Sequence, residues 1–191
     1  MKSLKLWLAA LPLVLFTQLS QAASYVIDTQ GAHAFINFKI QHLGYSWLTG
    51  RFNTFEGSFD YDAKAPEKSK IEVLIQTNSI DSNHAERDKH LKGKGFLDVH
   101  KYPTAKFVST KYTPKDTETG TLTGEFTLHG ITKTIKIDVK KIGEGADPWG
   151  GYRVGFEGTT RIKLTDYGIT YNLGPKSTHV DLELLIEGIR K

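Results

Sequence analysis

Along most of the chain, apolar side chains recur at every second position, the pattern of strands that bury one face and wet the other. A helix has a period of about 3.6 residues and cannot present such a pattern as one apolar face. In the run 133–140, Ile135, Ile137 and Val139 share one face while Lys136, Asp138 and Lys140 share the other. Near the C-terminus, Val180, Leu182, Leu184 and Ile186 alternate with Asp181, Glu183 and Glu187, and Leu185 is the exception. The same alternation links Ala34, Ile36, Phe38 and Ile40; Phe55, Phe59 and Tyr61; Ile71, Val73 and Ile75; Leu122, Phe126 and Leu128; and Val154, Phe156, Ile162 and Leu164. With Phe107 and its neighbours, this periodicity predicts about eight strands.

The punctuation between the runs says how they connect. His129-Gly130-Ile131-Thr132 separates two alternating runs by a short segment with a glycine for positive φ, so 121–128 and 133–142 read as an antiparallel hairpin. Asp147-Pro148-Trp149-Gly150-Gly151 and Leu173-Gly174-Pro175 read as turns. Only one segment looks helical: Asn83 is the expected N-cap, with Glu86 completing a capping box, basic residues Lys89, His90 and Lys92 toward the end, and Gly93 as the stop. Antiparallel strands with one short helix and no βαβ rhythm leave an all-β barrel or a sandwich, and periodicity does not choose between them. Long strands, and too few bulky residues to fill both sheet faces, favour a closed barrel with an apolar interior and the helix over one end. At about eight strands, such a barrel either fills with side chains or holds one small ligand.

Ahead of the strands, Lys2 and Lys5 precede an apolar stretch over residues 6–16, and Ser20-Gln21-Ala22 offers a small-x-small cleavage site. The stretch is shorter than the roughly 20 residues of a membrane-spanning helix and contains Pro12, so residues 1–22 are expected to be a cleaved secretory signal. Residues 23–191 then form the barrel domain, expected in the periplasm without stable membrane insertion. The chain has no cysteine, which excludes disulfides, thiolate metal sites and a cysteine nucleophile. A net charge of +4 is too slight to mark a nucleic-acid binder.

Chemistry-bearing residues gather in Asn83-His84-Ala85-Glu86-Arg87-Asp88-Lys89-His90. Two histidines on one helix share a metal best three or four residues apart, but His84 and His90 are six apart and point about 240° from one another. No metal site is expected there. His84 with Asp88 and Glu86 with His90 instead fit the pairs of a solvated helix. No G-x-S-x-G elbow, H-E-x-x-H pair, P-loop or dinucleotide fingerprint occurs, so neither catalysis nor a cofactor is expected. The set that stands out is apolar and aromatic: Phe35, Phe38, Tyr45, Trp47, Phe52, Phe55, Phe59, Phe107, Phe126, Trp149 and Phe156. These residues are either ordinary barrel core or the lining of a tunnel for a long apolar ligand. On the tunnel reading, the wall is Ile36, Phe38, Phe59, Val73, Ile75, Phe107, Phe126, Ile137, Phe156, Leu182 and Leu184, with His84, Arg87 and His90 at the mouth.

The run Ala34-Phe35-Ile36-Asn37-Phe38-Lys39-Ile40-Gln41-His42-Leu43-Gly44-Tyr45-Ser46-Trp47 closely resembles the YceI-like family of bacterial secreted proteins. The likeness continues through residues 83–91, Lys101-Tyr102-Pro103-Thr104-Ala105, residues 128–133, residues 147–151 and Leu173-Gly174-Pro175. The resemblance implies a lipocalin-like antiparallel barrel with an elongated pocket and a periplasmic location. It also implies a polyisoprenoid ligand, such as an isoprenoid quinone or prenyl carrier. It implies no agreed catalytic residues. Two other functions stay open at this point: a hydrolase or isomerase acting on a lipid through residues 84–90, and a ligand-free, stress-protective interaction module with a filled barrel. A homodimer is a further possibility.

Overall fold

A computed structural model describes residues 22–191, so the expected signal segment, apart from Ala22, lies outside the described residues. Eleven strands are present among them: β1 (Ala23–Ile27), β2 (Phe35–His42), β3 (Ser46–Phe52), β4 (Phe55–Tyr61), β5 (Lys70–Gln76), β6 (Ile80–Asp81), β7 (Thr104–Pro114), β8 (Thr119–Leu128), β9 (Ile131–Ala146), β10 (Tyr152–Lys163) and β11 (His179–Arg190). One α-helix, α1 (Ala85–Lys92), sits between β6 and β7.

The count exceeds eight because three long strands are each interrupted. β1 and β2 both lie antiparallel to the same edge of β11, with Ile27 opposite Gly188 and Phe35 opposite Leu185, so residues 28–34 loop out of a single composite strand. In the same way β3 runs on into β4, and β5 into β6 through a 3-10 turn at Thr77–Ser79. The ring closes through β1, which pairs with β4 on one side and β11 on the other. The order β1, β4, β5, β7, β8, β9, β10, β11 therefore returns on itself with every pair antiparallel. The architecture is an eight-stranded lipocalin-like barrel whose rim is extended by β2, β3 and β6.

Because neighbouring strands run in opposite directions, the connections sort to two ends. The helix end gathers the β2–β3 turn, α1 with its flanks (82–103), the β8–β9 turn and segment 164–178. The far end gathers segments 62–69, 115–118 and 147–151. The β8–β9 hairpin forms as its turn residues dictate: His129 has φ 51° and Gly130 φ 75°, the two positive values of the turn that matches strand twist.

The helix starts one residue later than expected. Asn83 lies in the left-handed region at φ 59°, while His84 is extended and its Nδ1 accepts the Arg87 N–H at 3.2 Å, so His84 is the N-cap. Asn83 is a good cap type, but its backbone is spent turning the chain out of β6. Replacing His84 with alanine is expected to cost about 1 kcal/mol of local stability, read as faster amide exchange at Arg87, and to leave ligand affinity unchanged. A change in affinity instead would restore His84 to the mouth.

Candidate functional site

The barrel is hollow. Many inward apolar side chains, among them Phe38, Phe156, Leu182 and Leu184, are only partly buried although they face the interior, because they border a cavity of about 600 Å³. Ile36, Phe38, Phe59, Val73, Ile75, Phe107, Phe126, Ile137, Phe156, Leu182 and Leu184 all lie on its wall, as do Leu122, Ile135, Val139 and Ile162. The wall runs along β11 from Val180 to Ile186 and along β10 from Phe156 to Ile162, a slot roughly 20 Å long at about 3.3 Å per residue.

Aromatic rings close the far end. Tyr25 stacks on Phe59 at 5.0 Å, and Phe156 meets Phe59 and Tyr61 edge-on at 5.8 and 5.2 Å. Two bulges put polar groups there. In β9 the extra residue is the outward Ile142, and the parity reverses beyond it, so that Lys141 donates to Glu144 Oε1 at 3.1 Å and bonds Tyr61. A register shift between Ser109 and Lys111 in β7 turns Tyr112 to the wall. Burial pushes the Tyr61 hydroxyl up, against the lowering charge of Lys141, and burial likewise raises Tyr112, so both remain neutral donors.

The helix end is the mouth. Arg87, His90 and Leu91 reach it from α1, Phe96 from the segment after the helix, Tyr171 and Leu173 from segment 164–178, and His42 and Leu48 from β2 and β3. Arg87 is anchored there: its Nε donates to Ser82 Oγ at 2.8 Å, and that hydroxyl donates to Asp88 at 2.5 Å. His84 is not on the wall, and its role is the cap already described. The two histidines therefore serve different places and do not converge on one reacting atom. Four of the aromatics stand outside the core and the lining: Phe35, half-buried on β2 at the opposite parity to Phe38, and the exposed Tyr45, Trp47 and Trp149.

The glycine at position 188 keeps the slot open. A Cβ there would collide with the far edge of the Phe59 ring, which lies across the glycine. Gly188→Ala is expected to tip Phe59 into the cavity and weaken lipid affinity several-fold while the fold persists. An unchanged affinity in a titration would show that the ring escapes elsewhere.

A second cluster lies outside the cavity, where the 28–34 bulge meets β10 and β11. Donor atoms of Asp28, His33 and Glu187 lie within 4.8 Å of one another. Arg153 Nη1 already stands between the two carboxylates, 2.7 Å from Asp28 and 2.6 Å from Glu187, and its Nε reaches Asp147 at 2.9 Å. The guanidinium thus takes the position a cation would take, and the cluster is a latch. Burial alone would raise the Asp28 carboxyl, but hydrogen bonds from His33, Arg153 and the Gly31 N–H, with the Arg153 charge, hold it down at about 2.

The chain matches the YceI-like domain over residues 25–188. The chain belongs to the YceI-like family. Relatives include a UPF0312 protein of Azotobacter vinelandii, 54% identical over 191 residues, covering 98% of this chain and all of that one. A UPF0312 protein of Pseudomonas aeruginosa is 55% identical with the same coverage. Among solved structures, the YceI protein of Campylobacter jejuni is 29% identical with a TM-score of 0.70, over 80% of this chain and 90% of that one. Burkholderia cenocepacia BcnA shares the fold at a TM-score of 0.75 and 20% identity, over 84% of this chain and 98% of that one. So does a Saccharophagus degradans domain described as polyisoprenoid-binding, at a TM-score of 0.63 and 16% identity, over 90% and 100%. The barrel fold is therefore shared with chains as little as 16% identical to this one.

Proposed function

We propose that this YceI-like protein binds the chain of a polyisoprenoid lipid, a quinone or prenyl carrier, and holds it out of water for sequestration or transport in the periplasm. The observation that carries this reading is the slot itself, with apolar side chains from every barrel strand except β1 along its wall and rings across its far end. The Saccharophagus neighbour, described as polyisoprenoid-binding, supports it. Energetics select for length. Burying a five-carbon repeat gains about 4 kcal/mol at about 0.8 kcal/mol per carbon, whereas association costs about 4–15 kcal/mol. One repeat does not bind, and several bind firmly without a single hydrogen bond. The separate places of His84 and His90 support binding over catalysis. The periplasmic part rests on the basic and apolar leader of residues 1–22.

Native mass spectrometry of protein purified from its own host is expected to release a prenyl lipid. Ligand-free protein in every preparation, with no uptake of a neutral prenyl lipid on titration, would overturn the binding reading. Recovery from the cytoplasm with residues 1–22 intact would overturn the location.

A further inference from the structure

Of the nine large apolar residues left in solvent among the described residues, five lie at the helix end (Leu43, Tyr45, Trp47, Ile131 and Tyr171), against Ile142 and Trp149 at the far end. Leu43, Tyr45 and Trp47 project from the β2–β3 hairpin, with Tyr45 87% and Trp47 48% exposed, and Tyr171 projects from segment 164–178. These two elements form one rim. The Leu43 N–H donates to Ser177 Oγ at 3.3 Å, Lys176 lies against Gly44, and Tyr171 packs on Phe96 at 4.9 Å just beyond α1. Neighbouring residues His42 and Leu48, and Tyr171 itself, border the cavity, so the exposed rim surrounds the opening of the slot.

Charge marks the same end. Its connecting segments carry six Lys and Arg (Arg87, Lys89, Lys92, Lys94, Lys101, Lys176) against four acids (Glu86, Asp88, Asp98, Asp166). Asp88 is occupied by Ser82 and Glu86 is within 4.0 Å of Lys89. Lys39 adds an ammonium 5.0 Å above the Trp47 ring. The far-end segments reverse the balance, with three lysines (Lys64, Lys68, Lys115) against five acids (Asp62, Glu67, Asp116, Glu118, Asp147). The exposed Trp149 at that end is covered on one side by Arg153, 5.2 Å from its ring.

We propose that the helix-end rim docks on a bilayer surface containing anionic phospholipid. Tyr45, Trp47 and Tyr171 would sit at headgroup depth with Leu43 among the acyl chains, and the surrounding lysines would face the phosphates. Aromatic rings with a polar edge partition to that depth, and basic side chains add attraction that salt screens. Docked this way, the slot opens onto the membrane and an apolar chain passes between the two without crossing water. The purpose of docking rests on the lipid-binding reading, but adsorption is measured without it.

The test is flotation of the chain from Ala23 onward, which carries every element of the barrel, with vesicles of phosphatidylcholine alone or with added phosphatidylglycerol. Wild-type protein is expected to float with the anionic vesicles and to release at high salt. The double variant Tyr45→Asp/Trp47→Asp is expected to lose at least about tenfold in vesicle affinity while still taking up a prenyl lipid in solution. Trp149→Asp, at the opposite end, floats as wild type. A charged wall variant, Phe126→Asp, floats but carries no lipid, which separates failure of docking from failure of the cavity reading. Equal flotation of wild type and the double variant, loss of flotation with Trp149→Asp, or no flotation of wild type would overturn the proposal.

Discussion

Aspartate in place of Phe126 is expected to abolish prenyl-lipid binding, with affinity falling at least about a hundredfold. Phe126 lies opposite Phe107 on the neighbouring strand, meets Tyr167 edge-on at 5.6 Å and faces the slot from the helix-end half of β8. Its cross-strand partner on β9 is Lys133, which is exposed to solvent, and a bound apolar chain would strip the water from a carboxylate at position 126. That costs several kcal/mol, against about 1.4 kcal/mol for each tenfold in affinity. Burial also raises the carboxyl's pKa, so binding should recover in part as pH falls and the group becomes neutral. Phe126→Leu controls for folding, because a near-isosteric apolar exchange costs less than about 1.5 kcal/mol and keeps the slot apolar. At the mouth, Lys89→Ala and Lys92→Ala are expected to leave a neutral prenyl lipid bound normally. They should weaken its pyrophosphate ester only modestly, with an effect that fades in salt because exposed charges are screened. Titrating both ligands against both variant classes decides the matter. Normal binding by Phe126→Asp would sink the tunnel, and loss of the neutral lipid from a lysine variant would put the site in the wrong place.

The strands and the wall were legible in the sequence because both follow from the same period of two. Along β8 buried and half-buried residues alternate without a break, so Leu122, Phe126 and Leu128 could be assigned to the inside from periodicity alone. Where the period slips, the sequence is silent. Tyr112 is five residues after Phe107 and has the wrong parity to share its face, and only the shift at Ser109 and Lys111 turns it inward. Glu144 has the wrong parity to share a face with Val139 and Lys141, and it reaches Lys141 because β9 gains a residue, Ile142, opposite Gly155 and Phe156. Phe96 and Tyr171 belong to connections, where no period exists, and they meet only through the closed ring. Tyr45 and Trp47 carry the aromatic signature of a core, but alternation does not tell a strand that ends in the barrel from one that runs past its rim. The break between β1 and β2 was hidden for a related reason. The loop at the break is tied down by the Arg153 cluster, in which Asp28 and Arg153 are 125 residues apart.

Removing that cluster's buried carboxylate should produce the largest stability loss of any single polar change outside the cavity. Asp28 is 5% exposed and receives Arg153 Nη1, the His33 ring and the Gly31 N–H, so it ties the 28–34 bulge to β10. The carboxyl titrates near 3.8 when unfolded and at about 2 when folded, a depression that corresponds to about 2 kcal/mol of stability. Since the folded value is the lower one, this contribution is complete above about pH 4 and disappears as pH falls from there toward 2. Asp28→Asn, which keeps the shape and discards the charge, is expected to lower Tm at neutral pH by about 5 °C and to flatten the acid limb of the stability curve. Glu187 and Asp147 still hold Arg153 in that variant, so the barrel should close, but with a looser seam where β1 and β2 share the edge of β11. Amide exchange at Asp28, whose N–H donates to the Glu187 carbonyl at 2.8 Å, should quicken more than exchange in β8. An unchanged Tm together with an unchanged acid slope would mean that Arg153 and its other two carboxylates hold the bulge without Asp28. The latch would then have to be sought in Glu187, the one carboxylate of the set that lies on β11 itself.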